Sequence, residues 1–355
     1  MSKTKPATAE LQFGLDNFGD LPLDEHGKTT SHAAAIRQVV EEALLADELG
    51  VDVIALGEHH REEYSISSPE TVLAGIASVT KNIRLASGVT VLSSDDPVRV
   101  FERFATLDAL SNGRAQVILG RGSFTESFPL FGYDLRDYEV LFEEKIDLFS
   151  KLLDEKPVTW SGSTRASLTD ADVFPKTESG RLETLVGVGG SPQSIIRAVK
   201  YDFPVMLAII GGDPARFRPF TQLYREAAKE MGKTAHPIGV HSPGFIADTD
   251  EEAIEKSFPY FKTAFDAIGK TRGWPPMSRE HFLQEVKHGS MYVGSPETVA
   301  QKIASTMHTV DANRFDLVYG FGPVPASERL HTVELYAKEV IPRVKELLKE
   351  KQRDA

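Results

Sequence analysis

Two patterns of apolar positions alternate along this chain. One is a short, continuous apolar run of strand length; the other is a longer stretch with apolar residues three and four apart. Residues 83–122 carry both. The β-branched run from Ile83 to Leu92 predicts a buried strand. Pro97 then opens a helix whose apolar face is Val98, Phe101, Phe104, Ala105, Leu107 and Leu110. Asn112-Gly113 stops it, and a second buried strand, Ala115 to Leu119, runs into Gly120-Arg121-Gly122. Such a crossover forces its two strands parallel. Gly88, late in the first strand, and Arg121, just past the second, therefore arrive at one end, the end where α/β proteins hold ligands.

The same alternation extends in both directions. Before it come a tail to Glu10, a strand at Leu11–Leu15, a loop to Thr30, a helix at Ser31–Leu49 closed by Gly50, a strand at Val51–Leu56, and a helix near Pro69–Val79. After it comes an amphipathic helix, Asp137–Leu153. Residues 154–183 lack periodicity and read as an insertion or long loop. Strands are then predicted at Thr184–Val188, Val205–Ile210, Ile238–Ala247 and Phe315–Tyr319. Helices are predicted at Gln193–Lys200, Pro214–Met231, Asp250–Ile268, Pro296–Val310 and Ser327–Leu348, with a second irregular stretch over 269–293. Eight strands alternate with helices and no strand doublet interrupts them. A closed (β/α)8 TIM barrel with insertions, in one domain, fits this order best; an open doubly wound sheet is the alternative.

Composition narrows the class. The chain has 355 residues, 41% of them hydrophobic, and a formal net charge of −12. An acidic balance disfavours nucleic acid and anionic membrane surfaces. With no cysteine, disulfides and thiolate chemistry are excluded, and any metal would need histidine and carboxylate ligands. No apolar run reaches membrane-spanning length and the start has no apolar signal core. A cytoplasmic enzyme without a metal site is the expectation.

Chemistry-bearing residues gather after the strands. Glu58-His59-His60 follows the second strand. Adjacent residues of an extended chain point to opposite sides, so the two histidines are poorly placed to grip one ion. Either one faces a pocket as a base and the other packs, or both serve the loop backbone. Gly189-Gly190-Ser191-Pro192 lies between a strand and a helix, where glycine amides, a serine hydroxyl and the helix dipole suit an anion. Gly294-Ser295-Pro296 repeats that signal. Arg121 adds a fixed cationic fork. Gly88-Val89 is where a flat ring could lie against the backbone, or a strand glycine beside a bulge. Phe124, Phe128 and Phe131 are candidates for an apolar wall or for core. The acidic run Asp248, Asp250, Glu251, Glu252 suits a helix N-terminus.

Taken in order, ALGEHH, IRLASGVTVL…DPVR…TLDALSNGR…ILGRG, VGVGGSP and VGSPETVAQKI resemble the bacterial luciferase-like family of flavin-dependent monooxygenases, from Leu11 to about Leu348. The resemblance implies a (β/α)8 barrel, usually dimeric, binding reduced FMN at the C-terminal mouth. By residue, it implies that Arg121, Ser191 and the Gly189-Gly190 backbone hold the FMN phosphate. Gly88-Val89, often a non-proline cis bond, would lie behind the isoalloxazine; Glu58 would sit near the flavin, and His59 would be the base. The implied reaction takes reduced FMN from a separate reductase and, with dioxygen, oxygenates a small organic substrate through a flavin hydroperoxide. The rivals are hydride transfer with a deazaflavin, a non-catalytic flavin-binding partner subunit, and a metal-dependent hydrolase. The chain departs from the luminescent subunits, which carry glutamate at the position of Gly190 and cysteine at that of Gly120. Their mobile loop is longer than the corresponding stretch within 269–293.

Overall fold

The computed structural model describes residues 10–122 and 124–353; apart from Glu10, the expected N-terminal tail lies outside the described residues. In chain order the elements are β1 (Gln12–Asn17), α1 (His32–Glu48), β2 (Val53–Leu56), α2 (Pro69–Ala77), β3 (Arg84–Val91), α3 (Pro97–Leu110), β4 (Ala115–Gly120), α4 (Ser127–Leu130) and α5 (Tyr138–Leu152). Then come β5 (Val158–Trp160), β6 (Leu168–Ala171), β7 (Glu183–Val188), α6 (Pro192–Lys200), β8 (Val205–Ala208), α7 (Arg218–Glu230), β9 (Ile238–Ile246) and α8 (Asp250–Arg272). The series ends with α9 (Arg279–Lys287), β10 (Tyr292–Gly294), α10 (Pro296–Val310), β11 (Arg314–Val318), α11 (Ala326–Leu335) and α12 (Ile341–Arg353).

Parallel pairing runs β11-β1-β2-β3-β4-β7-β8, and β9 pairs with both β8 and β11. The β8–β9 ladder, with Val205 opposite Ile238 and Ala208 opposite His241, closes the ring. A closed eight-stranded parallel barrel results, and the open sheet is ruled out. Outward side chains such as Phe13, Leu15, Ile54, Leu56, Val117 and Leu119 join the surrounding helices in the main apolar core. Burial of strands on both faces explains why they read as continuous apolar runs rather than alternating ones.

The structure corrects two expectations. Residues 154–183 carry an antiparallel pair, β5 with β6, so a strand doublet does interrupt the alternation. The pair is short and its residues Thr159, Thr169 and Asp170 are exposed, which leaves little apolar period to detect. Residues 269–293 are also ordered: α8 runs on to Arg272, α9 follows, and β10 adds to β9. Trp274-Pro275-Pro276 is the punctuation between α8 and α9. At the far end, Tyr336–Val340 is a π-helical turn joining α11 to α12.

The barrel interior is partly polar. Arg314 on β11 sends Nε and Nη2 to the two oxygens of Asp316 (2.8 and 2.6 Å) and Nη1 to Gln116 Oε1 on β4 (2.6 Å). All three are buried. Gly14 on β1 leaves room for the Asp316 carboxylate, which a Cβ there would overlap. Small residues Val53, Ala55 and Ala86 fill one side of the interior, and Ile118, Leu185 and Met206 the other. Above this layer the barrel opens into a cavity.

Candidate active site

A cavity of about 400 Å³ opens at the C-terminal ends of the strands. Glu58, His59, Gly88, Val89, Arg121 and Gly189 all line it, although they come from four separate loops and strand ends. Gly190 and Ser191 are the next residues of the same turn but do not line the cavity; Ser194, one helical turn on, does. Of the three phenylalanines, Phe124 lines the cavity. Phe128 is buried against the Tyr138 ring, and Phe131 is half exposed with its edge toward His60. Ser295, which begins α10, is elsewhere: its N–H donates to Asp250 on α8 (2.7 Å).

The Gly88–Val89 peptide is cis. Strand pairing between β3 and β4 slips there, Gly88 facing Ile118 and Thr90 facing Leu119, so Val89 is bulged out of the ladder. Its side chain enters the cavity between two strand glycines. A Cβ on Gly120 would overlap the Val89 methyls, and one on Gly187 would come 2.9 Å from Val89 Cγ1. On the other side, a Cβ on Gly88 would lie 3.0 Å from the buried Asp16 carboxylate. Glycine at 120 and 187 is a packing requirement, and at 88 a Cβ would fit only tightly.

Glu58 is fully used. Its Oε2 accepts the Val91 N–H (2.8 Å), and its Oε1 lies 2.9 Å from His60 Nε2. That hydrogen bond raises the His60 pKa, with burial opposing it. His59 is different. Its ring is walled by Phe18, Tyr64 and Phe124, with centroids 5.5, 4.4 and 5.3 Å away. Nε2 is buried without a hydrogen-bond partner. Burial, helped by the nearby charges of His60 and Arg61, pushes its pKa down to about 3. His59 is thus a neutral imidazole at ordinary pH, an acceptor or donor of a hydrogen bond rather than a strong base.

At the α6 end the groups suit an anion. Ser191 is the N-cap residue, but its hydroxyl donates to Gln193 Oε1 (2.8 Å) and caps no amide. A Cβ on Gly189 would meet nothing within 4 Å, and Gly190 has φ +102°. Arg121 pairs with Glu139 (2.5 Å) and lies over the Tyr138 ring. Arg197 on α6 also reaches Glu139 (3.3 Å) and Glu143 (2.7 Å), yet its Nη1 is buried with no partner. Arg121 on the cavity wall, the helix start without a side-chain cap and the open glycine turn fit a phosphate group.

A sequence profile of the family described as luciferase-like monooxygenase matches residues 17–313. The chain belongs to that family. It is 35% identical over 318 residues to 4-hydroxyprotoasukamycin monooxygenase of Streptomyces nodosus subsp. asukaensis, covering 84% of each protein. Among solved structures, the FMN complex of the oxygenating constituent of 3,6-diketocamphane monooxygenase from Pseudomonas putida, a type II Baeyer-Villiger monooxygenase, superposes with a TM-score of 0.76 at 20% identity. The match covers 94% of this chain and 99% of that one. An F420-dependent secondary alcohol dehydrogenase in complex with an F420-acetone adduct superposes with a TM-score of 0.73 at 18% identity, covering 94% and 99%. This luciferase-like monooxygenase is therefore an oxidoreductase of a fold that serves both FMN and F420 enzymes.

Sequence reasoning missed part of the wall. Phe265, Ile268 and Arg272 from the end of α8, and Trp274 after it, line the cavity, as do Tyr138 and His241. A histidine among the mostly apolar residues of Ile238–Ile246 was a readable signal. The contribution of the segment after α8 was not, because nothing local says which surface it covers. Among the described residues, no helix is long and apolar enough to cross a membrane.

Proposed function

We propose that this protein is the oxygenating component of a two-component monooxygenase, which takes reduced FMN from a separate flavin reductase and uses dioxygen to oxygenate a small organic substrate. The observation that carries the reading is one cavity with two unlike ends. One end is the glycine turn at Gly189 beside the Arg121 guanidinium; the other is the apolar projection of Val89 between Gly120 and Gly187. Arg121, the Gly189-Gly190 backbone and Ser191 would hold the phosphate. Gly88 and Val89 would support the ring, with Glu58 close by. Reduced FMN, when bound, supplies the electrons that activate dioxygen.

The chain's own residues bind, orient and exclude water. Phe18, Tyr64, Phe124 and Trp274 make the walls apolar, which favours a substrate bearing a ring and keeps solvent from the reacting atoms. Glu58, fixed by Val91 and His60, ties the loop after β2 to the end of β3. The neutral His59 offers a hydrogen bond without a charge.

The second reading is hydride transfer with F420, supported by the likeness to an F420-dependent enzyme. Titration of the purified protein with photoreduced FMN and with reduced F420 separates the two. The FMN reading expects tighter binding of reduced FMN and substrate-dependent oxygen uptake. Tighter F420 binding without oxygen uptake would sink it.

A further inference from the structure

Two histidines line the cavity, and the fold supports them differently. His59 has aromatic rings around it and no acid partner. His241, on β9, places Nδ1 2.7 Å from Oδ2 of Asp16 on β1. Asp16 is 1% exposed, and its Oδ1 has no partner. Burial raises the Asp16 pKa, while the hydrogen bond and charge of His241 oppose that rise.

The other charged groups packed against this pair are Asp316 and Arg314 on β11. They are already matched to each other by a two-pronged ion pair, so the Asp16 carboxylate is left to His241. With Asp16 ionised, Nδ1 donates to it and Nε2 keeps its lone pair for whatever occupies the cavity. The edge of the Phe18 ring, 6.0 Å from the imidazole by centroid, limits how far it can swing. Glu58, the remaining acidic residue on the cavity wall, has both oxygens engaged.

We propose that His241, oriented by Asp16, is the proton acceptor of this cavity, and that the proton comes from the acidic hydroxyl of a phenol or enol substrate. The O–H bond breaks, its electron pair stays on the substrate oxygen, and the proton joins Nε2. The imidazolium so formed lies against the Asp16 carboxylate, and the substrate anion is richer in electrons at the carbon an oxygenase attacks. His241 is the catalytic residue here and Asp16 the positioning one. Only the use made of the anion rests on the monooxygenase reading; the dyad and its ligand are testable without cofactor.

Nitrogen-15 NMR of histidine-labelled apoprotein should show one imidazole with the proton on Nδ1 and the lone pair on Nε2. His241→Gln should remove that signal, and Asp16→Asn should lose the fixed tautomer. Titration with 4-nitrophenol, at a pH where the free probe is largely neutral, should yield the coloured anion bound to wild-type protein. His241→Gln should retain the anion about tenfold less well. An Nε2–H tautomer in the wild type overturns the proposal even if Asp16→Asn does not fold. So does an Asp16→Asn spectrum that matches the wild type, or a probe that binds neutral or not at all. A protein that passes these tests but fails to bind reduced FMN would keep the dyad and lose the FMN reading.

Discussion

The side chain of Val89 occupies the space that a side chain on Gly120 would need. Gly120→Ala must therefore push Val89, and the cavity end it forms, out of place. Overpacking of this kind costs about 1–3 kcal/mol. A lower melting temperature and weaker binding of reduced flavin are expected, with part of the stability recovered in the Gly120→Ala/Val89→Ala double variant. Melting curves of the four proteins check this; an unchanged Gly120→Ala would show that Val89 has room to move.

Arg121 tests the phosphate end. Its guanidinium faces the cavity, and its present partner, Glu139, is a mostly exposed carboxylate that an anion could displace. Loss of a charge-assisted contact costs about 1.5–3 kcal/mol. Arg121→Ala should weaken reduced FMN about tenfold or more and leave reduced riboflavin, which lacks the phosphate, nearly unaffected. Equal losses for both ligands in a fluorescence or calorimetric titration would place the phosphate elsewhere.

Glu58 controls His60. The hydrogen bond between them raises the His60 pKa, so its stabilisation is present below the unfolded value of about 6.5 and is lost as pH rises through the folded one. In Glu58→Gln the His60 titration should move down, read by NMR. Gln can still accept from the Val91 N–H, which keeps the loop tied. A titration that does not move would mean that the carboxylate is not the cause.

Asp20 carries a pH dependence of the same sign but of another origin, burial rather than a favourable partner. It is buried, its Oδ1 accepts the Gly322 N–H (2.8 Å), and its Oδ2 has no partner. Burial, eased by the Arg329 charge, pushes its pKa up to about 7 from 3.8. Between those values the folded protein holds a proton that the unfolded chain has released, so stability falls as pH rises through the window, by at most about 4 kcal/mol. Asp20→Asn should flatten that slope and gain on the wild type as pH rises. Urea midpoints at about pH 5 and about pH 8 measure it; a constant difference between the two proteins would rule out titration of Asp20.

The alternation of elements was legible because buried parallel strands and one-sided helices leave different apolar periods, as 83–119 and 138–152 show. The cavity end was legible too, since a parallel crossover brings every strand end to one side, and Glu58, Gly88, Arg121 and Gly189 do meet there. Where the pattern was thin, it misled. The hairpin within 158–171 is short and largely exposed, and the segment after α8 is broken by Trp274-Pro275-Pro276, so neither leaves a period to read.

By itself, the sequence determined which residues form strands and helices, which faces are apolar, and that glycine turns and an arginine stand at the strand ends, because these are properties of neighbours along the chain. Only the tertiary structure decided that β9 meets β8 to close the barrel, that Val89 lodges between Gly120 and Gly187, and that Asp16 meets His241 across 225 positions. Periodicity tells a side chain to point inward; closure of the ring alone chooses what it meets.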